Sequence, residues 1–263
     1  MPVFNGVGHS DWTSDKLHFF SLFVIMHLEI TKSVMRKWNK SRYYYFDLNA
    51  GCGFDPATGS PGSPVIFSDI ANQLGIDHTG HMIEINRDNC DSLQSKLNEG
   101  EHFRSCAIHG DHNKYMRQFC QDRYRNEFGL FYADPNAVND APLSLLSELS
   151  LYWKRADILM MLPAATLKRV SRRFNRATLA HHFDKIHKKN IMIKKPVGKH
   201  EFTFVYCTNG PVLKWEKQDF YDIMSEDGQR VFDKLNRTNH ERKTATQPNL
   251  FDLPPIQDSS SYD

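Results

Sequence analysis

Residues 43–53 read Tyr-Tyr-Tyr-Phe-Asp-Leu-Asn-Ala-Gly-Cys-Gly, and this stretch decides the fold. The run Tyr43–Leu48 is rich in aromatic residues, which favour the covered, pleated surface of a sheet, and it predicts a β-strand. Small residues follow from Asn49 to Gly53, and glycines there let the backbone approach a ligand where a Cβ would collide. The stretch therefore predicts a strand with a ligand-binding turn at its carboxyl end.

Strands and helices alternate around this stretch. Six further short β-rich runs predict strands at residues 80–85, 103–109, 128–133, 157–162, 190–195 and 201–208. Apolar residues at helical spacing predict helices at residues 14–38, 64–74, 88–97, 112–122 and 142–153, and one or two more within 165–189. The order predicts an α/β fold with a doubly wound, mostly parallel seven-stranded sheet, an N-terminal helix and a C-terminal tail. Such a sheet binds ligands beyond the carboxyl ends of its strands.

Acidic residues stand at the carboxyl ends of the first four predicted strands: Asp47, Glu84, Asp111 and Asp134. At the second strand end a carboxylate suits a ribose, because it accepts hydrogen bonds from both hydroxyl groups. At the third, Asp111 suits the exocyclic amine of an adenine. One Gly-x-Gly after a strand is a weak signal, but four polar strand ends in this order indicate a nucleoside-containing ligand.

In these motifs the chain resembles the Rossmann-like S-adenosylmethionine-dependent methyltransferases, over roughly residues 43–208. Residues 47–53 match the first motif of that class except at Asn49, where Gly or Phe is usual. Glu84 matches its ribose-binding acid, and Asp111 its adenine-contacting acid. The resemblance implies S-adenosylmethionine as the cofactor, held by Asp47, Asn49, Gly51, Gly53, Glu84 and Asp111.

The segment Asp134-Pro135-Asn136 resembles the catalytic motif of the amino-methylating members of this class. An amine on an aromatic base is a poor nucleophile, because its lone pair is delocalised into the ring. Asp134 and the backbone carbonyl of Pro135 would accept its two protons and turn the lone pair toward the methyl donor. The resemblance therefore implies that these three residues hold the target amine.

The fourth place of this motif departs from the class. An aromatic residue stands there in the class and stacks on the flipped base, but this chain has Ala137. Tyr132 or Phe131, or an aromatic residue from another loop, is expected to take over that contact. The same departure leaves open a catalytically silent methyltransferase fold that acts as an adaptor for DNA and its clamp.

Two further resemblances concern the first helix. Residues 46–53 followed by Gly62-Ser63-Pro64, with Lys16-Leu-His18 upstream, resemble the three-Cys-motif partner family, a methyltransferase-like group often encoded by mobile elements. RNA ribose 2′-O-methyltransferases use a Lys-Asp-Lys-Glu set, which has counterparts here in the same chain order. These counterparts are Lys16, Asp134, Lys194 or Lys195, and Glu201 or Glu216.

The formal net charge of +2 hides an uneven distribution. Residues 168–199 carry eleven Lys or Arg and one acid, and the bases recur at helical spacing apart from an apolar face. A solvated helix face normally mixes both signs, so this segment indicates a polyanionic partner such as nucleic acid. The predicted phosphate contacts are Lys168, Arg169, Arg172, Arg173, Arg176 and Lys195.

The polar tail contains one short motif. Residues 247–253, Gln-Pro-Asn-Leu-Phe-Asp-Leu, resemble the peptide by which bacterial replication and repair proteins bind the sliding clamp. Gln247 would fix the register, while Leu250 and Phe251 would fill an apolar pocket. Since clamps encircle DNA, the resemblance implies a DNA substrate. The alternative is a tail that packs these two apolar residues on its own domain.

Several classes of protein are disfavoured by what the sequence lacks. Five scattered cysteines, with neither CxxC spacing nor a signal peptide, favour a reduced, cytoplasmic protein. Two His-x-x-His pairs are expected by chance among 13 histidines, and no metal is predicted. The richest apolar run, residues 19–26, is shorter than the ~20 residues that span a bilayer.

Together these features predict three parts: an N-terminal helical segment (1–40) packed on the core, a methyltransferase-like domain (41–235) and a flexible tail (236–263). The predicted activity is that of a bacterial or phage methyltransferase acting on DNA, at an exocyclic base amine of the N6-adenine type. The silent adaptor and the RNA ribose methyltransferase remain open as alternatives.

Overall fold

The structure is a computed structural model that describes residues 3–4, 7–8, 13–135, 142–163, 183–196 and 202–236. The strands in these ranges are β1 (Val3–Phe4), β2 (Val7–Gly8), β3 (Arg42–Asp47), β4 (Asp77–Glu84), β5 (Ser105–His109), β6 (Phe128–Ala133), β7 (Arg155–Pro163), β8 (Asn190–Lys194), β9 (Phe202–Thr208) and β10 (Phe220–Asp222). The helices are α1 (Thr13–Lys37), α2 (Ser63–Gln73), α3 (Arg87–Glu99), α4 (His112–Tyr115), α5 (Leu143–Tyr152), α6 (Leu213–Glu216) and α7 (Glu226–Asn236).

Eight of these strands form one sheet, in the order β10-β8-β9-β7-β6-β3-β4-β5. Strands β3 to β7 pair in parallel, and β9 pairs antiparallel to both β7 and β8. Strand β8 therefore points the same way as β7, and its carboxyl end lies at the same edge of the sheet. The predicted α/β fold with a mostly parallel sheet is confirmed. The predicted count of seven strands is wrong, because β10 adds an antiparallel edge strand too short to leave a sequence pattern.

Alternation along the buried strands divides the core into two layers. In β3, Tyr43 and Tyr45 face one layer while Phe46 faces the other. The Tyr45 ring stacks on Phe67 of α2 at a centroid distance of 3.7 Å, and the Phe46 ring meets Trp153 edge-on at 5.5 Å. Since full burial of such a side chain contributes about 1.5–3 kcal/mol, the aromatic run anchors the sheet between its two helical layers.

Helix α1 covers one face of the sheet. Its buried stripe, with Phe20, Phe23, Val24 and Leu28, recurs at helical spacing and belongs to the same core layer as Tyr43 and Tyr45. Among the described residues it is also the one helix long and apolar enough to cross a membrane by length and composition, and its most apolar 18-residue window has a mean hydropathy of 1.3. The shorter apolar run considered in the sequence did not predict this, because the helix extends well beyond that run.

The helix predicted at 112–122 is replaced by three short turns. Helix α4 has four residues, and 3₁₀ turns follow at Met116–Phe119 and Asp122–Tyr124. Met116 and Phe119 are the buried residues of the first 3₁₀ turn. A separation of three residues aligns side chains in a 3₁₀ helix as well as in an α-helix, so the apolar spacing could not distinguish the two.

The strand order fixes where a ligand site is expected. From β3 the chain proceeds to β4 and β5 on one side, and then crosses back to β6 and β7 on the other. The carboxyl ends of β3 and β6 therefore border the crevice at the topological switch point, which is where open α/β sheets bind their ligands.

Candidate active site

The turn after β3 is tied to the end of β4. The Ala50 amide donates to the Ile83 carbonyl at 3.0 Å, and the Gly51 amide donates to Glu84 Oε2 at 2.9 Å. Gly51 and Gly53 adopt φ values of +66° and +85°, in the left-handed region that favours glycine. A Cβ at Gly53 would also lie 2.8 Å from Leu93 Cδ1 of α3. The glycines predicted for ligand approach are thus required by the turn itself.

Asp47 supports this turn through hydrogen bonds on its buried side. Its buried carboxylate accepts hydrogen bonds from Ser63 Oγ at 2.8 Å, Tyr45 Oη at 3.1 Å and the Asn49 amide at 3.2 Å. Burial raises the pKa of Asp47 from 3.8 to about 7. Asp47 was expected to contact the cofactor, but it does not line the cavity above the turn. It acts instead by holding the turn against the amino end of α2.

The raised pKa of Asp47 predicts a specific pH dependence of stability. The folded state binds this proton more tightly than the unfolded state, so its contribution is present below pH 3.8 and is lost as pH rises through about 7. The amide in the Asp47→Asn variant cannot titrate. The unfolding free energy of wild type minus that of the variant should therefore fall as pH rises from 3.8 to about 7, and should then level off. Urea unfolding of both proteins at several pH values measures this difference. A difference that does not change with pH would contradict the prediction.

The wall beyond the turn is built around Glu84 at the end of β4. Its two carboxylate oxygens accept from the Gly51 amide at 2.9 Å and the Asn86 amide at 2.8 Å. Each oxygen keeps a second lone pair, and the half-buried side chain lines the cavity. The next residue, Ile85, also lines the cavity and is 73% exposed. Sequence reasoning missed Ile85; its signal is a large apolar residue directly after a strand-ending acid.

Asp111 stands at the third strand end, as predicted. Its Oδ1 accepts from the Asn113 amide at 2.8 Å and so caps α4. Asp111, His112 and Asn113 all line the same cavity as Glu84. The two acids predicted to contact the nucleoside part of a cofactor are therefore brought to one site.

Asp134 follows β6 and is paired with a residue 118 positions away. Lys16 Nζ of α1 donates to Asp134 Oδ2 at 2.7 Å, and both side chains are 16% exposed. The Tyr132 hydroxyl donates to the same oxygen at 3.4 Å. Pro135 is buried next to Asp134, while Asn136 lies outside the described residues. The first helix thus contributes a charged group to the site.

The aromatic contact expected from β6 is excluded by burial. Tyr132 and Phe131 have no exposed surface, and they face the two opposite core layers. The Tyr132 ring packs on Phe20 of α1, and the Phe131 ring meets Trp153 edge-on. Neither ring can stack on a base, so any such contact comes from another part of the chain.

These elements enclose a cavity of about 740 Å³ at the switch point. Among the described residues, one lysine and four carboxylates line it: Lys16, Asp55, Glu84, Asp111 and Asp134. The amino end of α2, at Gly62 and Ser63, also faces it. Asn49 Oδ1 is buried in its wall and accepts no hydrogen bond within the described part of the chain. The cavity therefore has a negative potential, which favours a cationic ligand, and its wall contains the Asn49 acceptor.

The remaining residues of the ribose-methylating set do not join this cavity. Lys194 Nζ donates to the Gln218 carbonyl at 2.6 Å and lines a different pocket, together with Lys195. Glu216 lies in α6 and is not part of the cavity wall, and Glu201 is outside the described residues. Of that set, the site brings together Lys16 and Asp134.

Several predicted contacts fall outside the described residues: Lys168, Arg169, Arg172, Arg173, Arg176, Gln247, Leu250 and Phe251. Lys195 is described and is exposed directly after β8. In the His-x-x-His pair at β4, His78 Nδ1 bonds the Ile76 carbonyl and His81 Nδ1 bonds the Tyr115 hydroxyl. No group of three or more His, Cys, Asp or Glu side chains in the described ranges is placed to hold a metal ion.

Comparisons with known proteins returned structural similarities alone. No family model matches the chain, and no curated protein matches it. A Legionella pneumophila protein is 15% identical, with a TM-score of 0.46 over 81% of this chain and 90% of its own. An rRNA methylase of Streptococcus thermophilus is 7% identical, with a TM-score of 0.44 over 64% of this chain and 87% of its own. A SAM-dependent methyltransferase of Aquifex aeolicus is 10% identical, with a TM-score of 0.41 over 67% and 87%. With TM-scores below 0.5, these similarities carry no conclusion about activity, and the fold assignment rests on strand order and direction.

Proposed function

We propose that the chain is an S-adenosylmethionine-dependent methyltransferase. The observation that carries the proposal is the acid-lined cavity at the switch point, in which Glu84, Asp111 and Asp134 stand at the carboxyl ends of three parallel strands of the sheet. The cofactor carries a sulfonium and an ammonium against one carboxylate, so its net positive charge complements this cavity. The motif resemblance over residues 43–208, which rests in part on the same acids, supports the same conclusion.

The residues present fit this cofactor part by part. Glu84 keeps acceptor lone pairs for the ribose hydroxyls, and the exposed Ile85 offers an apolar surface for an adenine. Asn49 Oδ1 is a buried acceptor that an ammonium group would satisfy. The amino end of α2 favours the negative charge of a carboxylate. Asn49 thereby gains a function at the position where it departs from the class.

Asp134 is the residue best placed to act on the target. The bound cofactor supplies an electrophilic methyl group, and the protein has to position a nucleophile in line with it. Asp134 accepts a hydrogen bond from the target N–H, orients the nitrogen lone pair, and takes up the proton as the new N–CH₃ bond forms. The substrate that follows from this role is an exocyclic base amine.

A DNA substrate remains the more specific part of the proposal. It is supported by the eleven bases in residues 168–199, which suit a phosphate backbone, and by the clamp-like peptide at residues 247–253. In the described part of the basic segment, Lys195 is exposed at the same sheet edge as Asp134. We infer that this segment holds the strand while Asp134 holds the base, and that the tail recruits the protein to clamp-loaded DNA.

One observation favours a second candidate function, methylation of an RNA ribose 2′-hydroxyl. Lys16 and Asp134 form an ion pair within the site, and a lysine–aspartate pair is what the ribose-methylating resemblance implies. A ribose hydroxyl has to lose its proton as its oxygen is methylated, so its reaction would depend on Lys16, acting as a neutral amine, to accept that proton. An amine held by Asp134 has no such requirement.

A methyl-transfer assay with Lys16→Met tests these candidates. Wild-type protein and labelled cofactor are incubated with DNA and with RNA, and the nucleosides are then separated and identified by mass. Amine methylation predicts a methylated base and a Lys16→Met rate within about threefold of wild type. Ribose methylation predicts a 2′-O-methyl nucleoside and a loss of at least about a hundredfold. Lys37→Met, in the exposed last turn of the same helix, is the matched control.

A catalytically silent adaptor would give a different result. Calorimetry would detect no S-adenosylmethionine binding, and in the methyl-transfer assay neither nucleic acid would gain label. Absence of binding to the wild-type protein would therefore overturn the methyltransferase proposal as a whole, whichever atom is its target.

A further inference from the structure

A second cavity, of about 510 Å³, opens at the same edge of the sheet as the candidate active site. Its walls are the ends of β8 and β9 at this edge, the segment from Trp215 to Phe220, and one side of α1. The first two turns of α1 separate the two cavities: Lys16 and Leu17 line the first, while Asp15 and Phe19 line the second. Since a helix with its side chains is about 10–12 Å across, the two cavities are close neighbours.

Aromatic rings dominate the walls of this second cavity. Phe204, Trp215 and Phe220 are buried and form its floor, with Phe204 and Phe19 at a centroid distance of 4.5 Å. Phe19 and Phe202 are half-buried in its wall, and the Phe202 ring stands at 90° to that of Phe204. The cavity thus offers flat apolar faces of the kind on which nucleic-acid bases stack.

Positive charge accompanies these rings. Lys194 Nζ lies 5.5 Å from the Phe19 ring centroid and 5.9 Å from that of Phe220, but it is paired with Asp219 Oδ2 at 3.7 Å. Lys195 is exposed beside it and is the lysine placed to meet a negatively charged occupant. Asp15 supplies a carboxylate on the α1 side of the cavity. Both lysines belong to the basic segment 168–199. An occupant that combines a flat aromatic ring with a negative charge fits this lining better than an aliphatic chain does.

We propose that this cavity is a subsite for an unpaired nucleotide that flanks the target in the substrate strand. Its base stacks against Phe19 and Phe202, and its phosphate approaches Lys195. The inference rests on the proposed function, since it places the strand that the active site would methylate. It is distinct from the contact with the flipped target base that was expected from β6, because α1 lies between this cavity and the candidate active site.

Binding of a single strand by Phe202→Leu tests the subsite. Leucine keeps the cavity apolar but removes the π-face, so the dissociation constant for a fluorescein-labelled DNA strand of about 12 nucleotides should rise about tenfold. Lys195→Gln should lower the slope of log affinity against log salt by about 0.7. Phe103→Leu, at an 80% exposed ring next to the opposite edge strand β5, and Lys37→Gln are the matched controls and should bind as wild type. Fluorescence anisotropy measures strand binding, and calorimetry measures S-adenosylmethionine binding on the same preparations.

Each outcome separates this inference from the function on which it rests. If the wild type binds cofactor and strand, and Phe202→Leu binds both equally well, the subsite is overturned and the methyltransferase proposal stands. A wild type that binds cofactor but no strand also overturns the subsite and leaves the methyltransferase proposal standing. A wild type that binds neither overturns both proposals. If the free peptide 245–257 binds, and Phe202→Leu weakens the peptide but not the strand, the cavity belongs to the protein's own tail and the subsite is overturned.

Discussion

Replacement of Asp134 by alanine is expected to lower the rate of methyl transfer by about a thousandfold, while the dissociation constant for S-adenosylmethionine stays within about threefold of wild type. The carboxylate meets the target rather than the cofactor, so its loss removes both the orientation of the nucleophile and the acceptor for its proton. Single-turnover transfer from labelled cofactor measures the first quantity, and calorimetry measures the second.

Two variants sharpen this test of Asp134. Asp134→Asn keeps an oxygen that accepts a hydrogen bond but cannot take up the proton, so its rate should fall between alanine and wild type. Asp77→Ala removes another carboxylate that is paired with a base, Arg104 at 3.1 Å, but at the opposite end of the sheet, and should leave the rate unchanged. Transfer by Asp134→Ala within tenfold of wild type would refute the assignment.

The strand ends could be predicted from the sequence because they follow from a local rule. In a parallel sheet the residues after each strand meet at one edge, so Glu84, Asp111 and Asp134 reach one cavity whatever the rest of the chain does. The same rule fails for Asp47, which ends its strand with the side chain turned into the protein, beneath the turn it supports. Alternation along a strand decides this, and the sequence does not show which face the last residue takes.

The role of Lys16 could not be predicted in the way that a strand end could, because it depends on how α1 lies across the sheet. The contact with Asp134 spans 118 residues and arises from the packing of Phe20 and Phe23 on β6 and β9. Chain order assigned Lys16 and Lys194 or Lys195 to one catalytic set, but Lys16 and Lys194 line different cavities. The packing of a whole helix thus determines which members of a sequence match reach the same site.

The missing aromatic of the fourth motif shows a further limit of local reasoning. Tyr132 and Phe131 precede Asp134 closely, so their nearness in sequence made them natural substitutes. Strand β6 is central, however, and helices cover both faces of the sheet, so each of its six residues is buried. Nearness in the chain therefore does not give access here, because Tyr132 and Phe131 closely precede Asp134 and yet neither lines the cavity that Asp134 lines.

Replacement of Glu84 by alanine is expected to weaken S-adenosylmethionine binding by about a hundredfold, or about 2.7 kcal/mol. The change removes the acceptor for both ribose hydroxyls, whose hydrogen bonds to a charged group contribute about 1.5–3 kcal/mol each. It also leaves the Gly51 and Asn86 amides without the carboxylate that they now share, so the turn that holds Asn49 loses its tie to β4. Calorimetric titration of the cofactor measures the loss, and S-adenosylhomocysteine should show the same ratio because it keeps the ribose.

The isosteric variant disturbs both the ribose contact and the support of the turn less than alanine does. Glu84→Gln keeps one acceptor oxygen but points an amide N–H₂ at one of the two backbone donors, so its binding should fall between wild type and alanine. Glu29→Ala, at an exposed position in the middle of α1, is the matched control and should bind the cofactor as wild type. Thermal unfolding shows whether each variant remains folded. A folded Glu84→Ala protein that binds the cofactor as tightly as wild type would remove Glu84 from the site, and the ribose would then need another acceptor.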